Sequence, residues 1–202
     1  MAIVTNYTTL KTYIADTLAR DDLTTFIPNF VQAAERKLHS TLHLRNEETA
    51  LSVSIASGVA AVPADFKKLK FAYFDESPIA LLQWVAIEEL YRDYPIRSGA
   101  ETPSVISREA GNFVFGPVSK DGTLKGVYYA KQDSLETTDP SWYVSNHPEV
   151  LVYGACAEAG LFTRDTNMYQ YWDSMFQQEM GRIDRENKAS ETSGGQIVQR
   201  PS

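Results

Sequence analysis

Between Thr24 and Leu44 the chain reads TTFIPNFVQAAERKLHSTLHL, with apolar residues at Ile27, Phe30, Val31, Ala34, Leu38 and Leu42. That spacing draws one stripe along a helix whose other side is polar, at Gln32, Glu35, Arg36, Lys37 and Ser40. A one-sided helix takes most of its stability from whatever covers its stripe. Thr24 is placed to cap its start, and Pro28 falls in the first turn, where a missing N–H costs little.

Cover is available at both ends of the chain. Asn6 to Arg20 reads as a helix capped by Asn6, with Leu10, Ile14 and Leu18 as its stripe and Tyr7 and Tyr13 beside them. A short polar joint, Arg20-Asp21-Asp22, links it to the organising helix as an αα-hairpin. Near the other end, His147-Pro148 opens a helix whose stripe is Leu151, Val152, Ala155, Ala159 and Phe162. Its small residues, Gly154 to Gly160, permit close helix approach. Thr163-Arg164-Asp165 then leads into a last helix, with Asp165 as its cap and Met168, Trp172, Met175, Phe176 and Ile183 spaced for burial.

The period changes in the middle. From Glu47 to Ile55, Leu51, Val53 and Ile55 alternate with serines, which is a strand with one buried face. Ser57-Gly58 turns it into a return strand, Val59 to Val62. Lys67 to Phe74 alternates Leu69, Phe71 and Tyr73 with Lys68, Lys70 and Ala72, predicting that the first three face inward. A short strand at Ile79 to Leu82 and a short helix at Val85 to Asp93 follow. Ser104 to Ser107 and Asn112 to Phe115 flank the turn Glu109-Ala110-Gly111 as a hairpin, and Leu124 to Ala130 is rich in strand formers. These readings predict an α+β fold. A helical bundle is built from the N-terminal and C-terminal helix pairs, residues 1–45 and 146–188. It carries a β-rich middle insertion, residues 46–145, and an extended C-terminal tail, residues 189–202.

Composition narrows the function. The 202 residues carry a formal charge of −7, which argues against a surface built to grip phosphates. One cysteine rules out an internal disulfide framework and fits synthesis in a reducing compartment. No apolar run is long enough to span a bilayer, and the first residues lack the pattern of a signal peptide, so neither membrane nor secretion is expected.

Candidate chemistry is sparse. Glu35, His39 and His43 fall at i, i+4 and i+8 on one helical face, and two histidines four apart can bind zinc. Ser40 stands where a metalloprotease motif needs glutamate, so a solvated or interfacial face is the favoured reading. A metal-dependent hydrolase using His39 and His43 is the alternative of a different class. His147 sits at a helix entrance. Cys156 lies among small residues and reads as a core residue without a local activating group. The aromatic group Trp142, Tyr143, Tyr153, Tyr169, Tyr171 and Trp172 lacks interleaved basic residues and reads as core and interface. No phosphate-binding loop, dinucleotide fingerprint or nucleophile elbow is present. The expectation is therefore a non-enzyme with no catalytic residue, cofactor or metal. A soluble, monomeric ligand-binding domain is a further alternative.

The motifs in order resemble a known family. Asp22, Leu23, Ile27, Pro28, Phe30, Ala34, Glu35, Leu38 and Leu42 form D-L-x-x-x-I-P-x-F-x-x-x-A-E-x-x-L-x-x-x-L. Val62-Pro63-Ala64-Asp65-Phe66, the Gly116-Pro117 turn before Val127-Tyr128-Tyr129-Ala130, and Pro148-Glu149-Val150-Leu151-Val152-Tyr153-Gly154-Ala155 follow. Over roughly Tyr7 to Glu186 the chain resembles the head-to-tail adaptor (connector) proteins of tailed bacteriophages, the short-tailed ones in particular.

That resemblance implies a structural protein of the virion neck, assembled in the host cytoplasm. It implies a homo-oligomeric ring, usually of twelve copies, bound to the portal protein. Such a ring meets a tail tube or nozzle protein and extends the channel for passing genomic DNA without specific binding. Another phage neck or tail-completion ring protein is the near alternative. In the polar tail, Ser193-Gly194-Gly195 reads as a hinge and Gln196-Ile197-Val198-Gln199 has strand propensity. Gly194, Gly195, Gln196, Ile197, Val198, Gln199 and Arg200 are the expected partner-binding residues, through addition to a neighbour's sheet edge.

Overall fold

The computed structural model describes residues 4–192. In chain order the helices are α1 (Tyr7–Leu18), α2 (Ile27–Thr41), α3 (Ile87–Asp93), α4 (Trp142–Asn146), α5 (Pro148–Thr163) and α6 (Thr166–Thr192). The strands are β1 (Glu48–Ala56), β2 (Val59–Ala61), β3 (Phe66–Phe74), β4 (Ala80–Trp84), β5 (Val105–Glu109), β6 (Asn112–Gly116) and β7 (Gly122–Ala130). They form two compact units: one from the chain before Glu47 and after Lys131, the other Glu47–Lys131.

In the helical unit α1 begins as its sequence dictates. The Asn6 side chain accepts from Thr9 N–H at 2.9 Å, and Thr9 Oγ1 accepts from Asn6 N–H at 3.0 Å, a complete capping box. Asp21–Phe26 then winds a 3-10 turn, so α2 starts at Ile27 rather than at Thr24. Thr24 serves the helix through its backbone carbonyl, which accepts from Ile27 N–H, and Pro28 occupies the first turn. Helix α5 is buried on most of its circumference, from Val150 to Gly160. It packs against α1, α2 and α6, whose contributions to the shared core include Leu10, Ile14, Val31, Leu38, Phe176 and Ile183. Gly154 sets the spacing: a Cβ there would lie 2.6 Å from Ala34 Cβ and 2.9 Å from Phe176 Cε2. Two of the expected inward residues stand further out, Trp172 half-buried and Phe162 exposed.

The other unit is a closed barrel with the strand order β1-β2-β6-β5-β4-β3-β7. Two-residue turns with left-handed residues, Ser57-Gly58 and Ala110-Gly111, join β1 to β2 and β5 to β6. Strand β7 is the keystone. It pairs antiparallel with β1 from Glu48↔Tyr129 to Ile55↔Gly122, and on its other side with β3 from Phe66↔Ala130 to Phe74↔Leu124. Closure is completed by a short parallel pairing of β4 with β5. Leu51, Ile55, Phe74, Ile106, Phe113, Phe115 and Leu124 fill the barrel core.

This closure overturns the expected fold class, a helical bundle with a β-rich insertion and an extended tail. Seven strands close on a core of their own, which removes free sheet edges and makes the middle an architecture in its own right. The physical reason is long-range pairing: period-2 patterning marks a strand and its buried face but carries no information about its partner. At the other end, α6 runs helical past Ala189 to Thr192.

Leu69 packs on the barrel core as its alternation predicts, but the rest of the predicted inward face of β3 is corrected. Register shifts between Phe66 and Lys68, and between Leu69 and Phe71, swap the phase of the strand. Ala72 and Phe74 point into the core, while Phe71 is left exposed. Gly126 on β7 permits this, since a Cβ there would lie 2.2 Å from the Phe71 carbonyl oxygen and 2.8 Å from Ala72 Cα.

Candidate functional site

The Glu35–His39–His43 series does not survive as one face. Helix α2 ends at Thr41, and Leu42 is extended (φ −91°, ψ 143°), so His43 leaves the helix. Its Nδ1 lies 2.9 Å from the Leu42 carbonyl. Glu35 and His39 stay together, with Oε1 3.8 Å from Nε2, but their setting is structural. Glu35 is buried and accepts from the Leu135 N–H at 2.8 Å, tying α2 to the segment ahead of α4. The His39 ring meets Tyr143 edge-on, with centroids 5.6 Å apart. Among the described residues, no three His, Cys, Asp or Glu side chains converge as a metal site requires.

Cys156 is fully buried in the α5 core, and burial pushes its thiol up to about 12. A thiol held neutral in apolar surroundings is a packing residue rather than a nucleophile. His147, at the entrance to α5, is buried beneath Trp142, with ring centroids 5.0 Å apart. The second half of α6 lines it: Glu179 lies 3.8 Å from Nδ1, Glu186 lies 3.6 Å from Nε2, and Arg182 approaches Nδ1 at 3.4 Å. Arg182 also binds Glu179 through both Nε and Nη2. This cluster closes the α5–α6 pair electrostatically.

The aromatic group separates into two. Tyr143 is core, with Trp142 set against it at 5.3 Å. Tyr153, Trp172 and Tyr171 form a second cluster, with Tyr153 stacked on Trp172 at 5.9 Å and Tyr171 edge-on to Trp172 at 4.9 Å. The expected partner-binding residues Gly194, Gly195, Gln196, Ile197, Val198, Gln199 and Arg200 lie outside the described residues.

Sequence reading missed the surface features that do stand out. On the barrel unit, Phe71 of β3, Leu81 of β4 and Ile79 just ahead of β4 are exposed. On the helical unit, Phe26, Leu161 and Phe162 are exposed where α2 begins and α5 ends, with Phe26 and Phe162 rings 4.9 Å apart. The signal for the second was an apolar residue, Phe26, just outside the stripe. The first was hidden by the register shifts in β3. A buried pair inside the barrel unit was equally invisible: Lys67 donates to Glu47 at 2.7 Å, with the Glu47 side chain 1 % exposed.

Among the described residues the arrangement offers exposed apolar surfaces and ion pairs. No described helix is long and apolar enough to cross a membrane. No curated protein matches the chain. The family described as SU10 adaptor protein matches residues 5–200, and the chain therefore belongs to this family of phage head-to-tail adaptors.

Proposed function

We propose that this structural adaptor forms the ring between portal and tail in the virion neck, closing around the channel through which the genome passes. The observation that carries this reading is the family match, which runs through both compact units rather than one of them. The portal protein binds one side of the ring and a tail tube or nozzle protein the other. Head-to-tail closure of about twelve copies uses two different faces per subunit. The formal charge of −7 suits a channel wall, because a surface rich in phosphate contacts would hold DNA rather than pass it. The role is that of a platform and conduit, without catalysis. Assembly takes place in the host cytoplasm, consistent with a chain that carries one, buried cysteine.

The segment Gly194–Arg200 is assigned here as a tether. Its Ile197 and Val198 flanked by glutamines suit strand addition to the portal or to an adjacent subunit, and repetition around a ring turns weak contacts into avidity. The test is co-sedimentation with purified portal rings. Full-length protein is expected to co-sediment at a fixed ratio, and a chain truncated after Thr192 to fold normally but dock far more weakly. Failure of the full-length protein to bind portal overturns the adaptor reading. Undiminished docking of the truncated chain overturns the tether alone.

A further inference from the structure

Each compact unit carries an exposed apolar cluster among its surface hydrophobics, which on the barrel unit also include Trp84 and Ile96, and the two clusters differ in their charged surroundings. On the barrel, Tyr73 stands opposite Leu81 in the β3–β4 register, and Phe71 stacks on Tyr73 with ring centroids 6.4 Å apart. Leu81 is 73 % exposed and Ile79 61 %. The charges on these strands and in the β3–β4 turn, with their ion-pair partners, are Lys67, Lys68, Lys70, Lys120 and Lys125 against Glu47, Glu48, Asp75 and Glu76, so lysine is in surplus. Lys70 binds Glu48 at 2.6 Å and Lys125 binds Asp75 at 2.7 Å. On the helical unit, Phe162 lies 5.5 Å from Phe30 as well as against Phe26, with Leu161 57 % exposed beside it. The polar joints that adjoin Phe26 and Phe162 in the chain carry Asp21, Asp22 and Asp165 against Arg20 and Arg164, so carboxylate is in surplus there. Arg20 binds Asp22 at 2.6 Å, which holds the Asp22 carboxyl below its usual range.

Contiguous exposed apolar side chains of this kind mark interaction sites. Neither cluster suits pairing with its own image, because that places like charges together. Pairing one with the other places lysine surplus against carboxylate surplus and apolar surface against apolar surface. We infer that these are the two halves of one head-to-tail contact between copies of this chain. The Phe71–Tyr73–Ile79–Leu81 face of one copy seats on the Phe26–Leu161–Phe162 face of the next. The inference rests on the ring reading above and specifies its subunit interface.

Exposed positions make clean tests. Leu81→Arg and Leu161→Arg should each keep the wild-type melting temperature and each abolish assembly into the wild-type ring. Mixed together, each variant still has one intact face, so the expected product is a one-to-one heterodimer and nothing larger. A second arm does not depend on stable rings. Chains carrying Leu81→Cys are mixed with chains carrying Leu161→Cys under mild oxidation, and the mixed disulfide should exceed either symmetric one by about tenfold, the ratio for ~1.4 kcal/mol of preference. Lys68→Glu alone should weaken assembly, and Lys68→Glu combined with Asp21→Lys should restore it. If wild-type rings form and both arginine variants still assemble to the same mass, this interface is wrong while the ring stands. If Leu81→Arg leaves the ring intact but blocks portal docking, the barrel face belongs to the portal and the inference is overturned. If wild-type chains do not assemble and the two cysteine variants show no preference for the mixed disulfide, the ring reading and this inference fall together.

Discussion

Glu35 shows what a single residue contributes here. Its carboxylate is buried and receives the N–H of Leu135, 100 positions away in sequence. Removing the acceptor leaves that N–H unsatisfied, so Glu35→Ala is expected to cost about 1–3 kcal/mol in chemical denaturation. Glu35→Gln, which keeps an acceptor, should cost less; equal losses would show that the hydrogen bond is not what matters. Cys156 yields a kinetic prediction. With its thiol pushed up to about 12, it should resist thiol reagents in the folded protein at neutral pH and react only on unfolding. Rapid labelling of the native protein would contradict its placement. The Asn6 cap and the burial of Cys156 were legible in the sequence because both depend on near neighbours. The role of Glu35 was not, because its partner comes from the far end of the chain. His43 left the predicted helical face for a related reason. Helix α2 stops at Thr41 without a glycine or proline to announce it, and the neighbouring segments that override local propensity cannot be read from residues 40–44.

At the scale of elements, the barrel tests the account best. Gly126 lets β7 lie against the shifted β3, and Gly126→Ala would place a methyl 2.2 Å from the Phe71 carbonyl oxygen. Overpacking of this kind typically costs about 1–3 kcal/mol, and more where backbone must move; an unchanged denaturation midpoint would refute the register. Because the strands close on their own core, a chain cut to residues 47–131 should give a β-type circular dichroism spectrum and a cooperative melt. A disordered fragment would return the segment to the status of a dependent insertion. In the helical unit the load falls on Phe176, 1 % exposed, rather than on the half-buried Trp172. Phe176→Ala should cost ~3–5 kcal/mol, and Trp172→Ala roughly half as much. Strand positions were readable from alternation, and helix stripes from their period. Barrel closure was not, since it depends on β7 meeting β1 and β3 across long stretches of chain, as in Glu48↔Tyr129 and Phe66↔Ala130 at the ends of the ladders. The outward turn of Phe71 was likewise hidden, because a bulge changes phase without any mark in the hydrophobic pattern.

The whole molecule is an acidic structural adaptor of the phage neck. Its family was legible from the order of several short motifs, each weak alone, spread along nearly the whole chain. Its exposed apolar clusters were not, because they arise where the tertiary fold leaves apolar residues uncovered. A channel wall that does not hold its cargo predicts weak binding to short duplex DNA, with dissociation constants above the micromolar range at physiological salt. Sub-micromolar binding with a steep salt dependence would instead indicate a dedicated phosphate surface. The central claim, a ring that joins portal to tail, is tested most directly by native mass measurement of the purified protein, alone and with portal rings. The account predicts a closed species whose mass is an integral multiple of the 22.6 kDa chain, about twelve copies, bound to the portal as one complex. A chain that stays at 22.6 kDa in both conditions, with free portal beside it, would contradict the account.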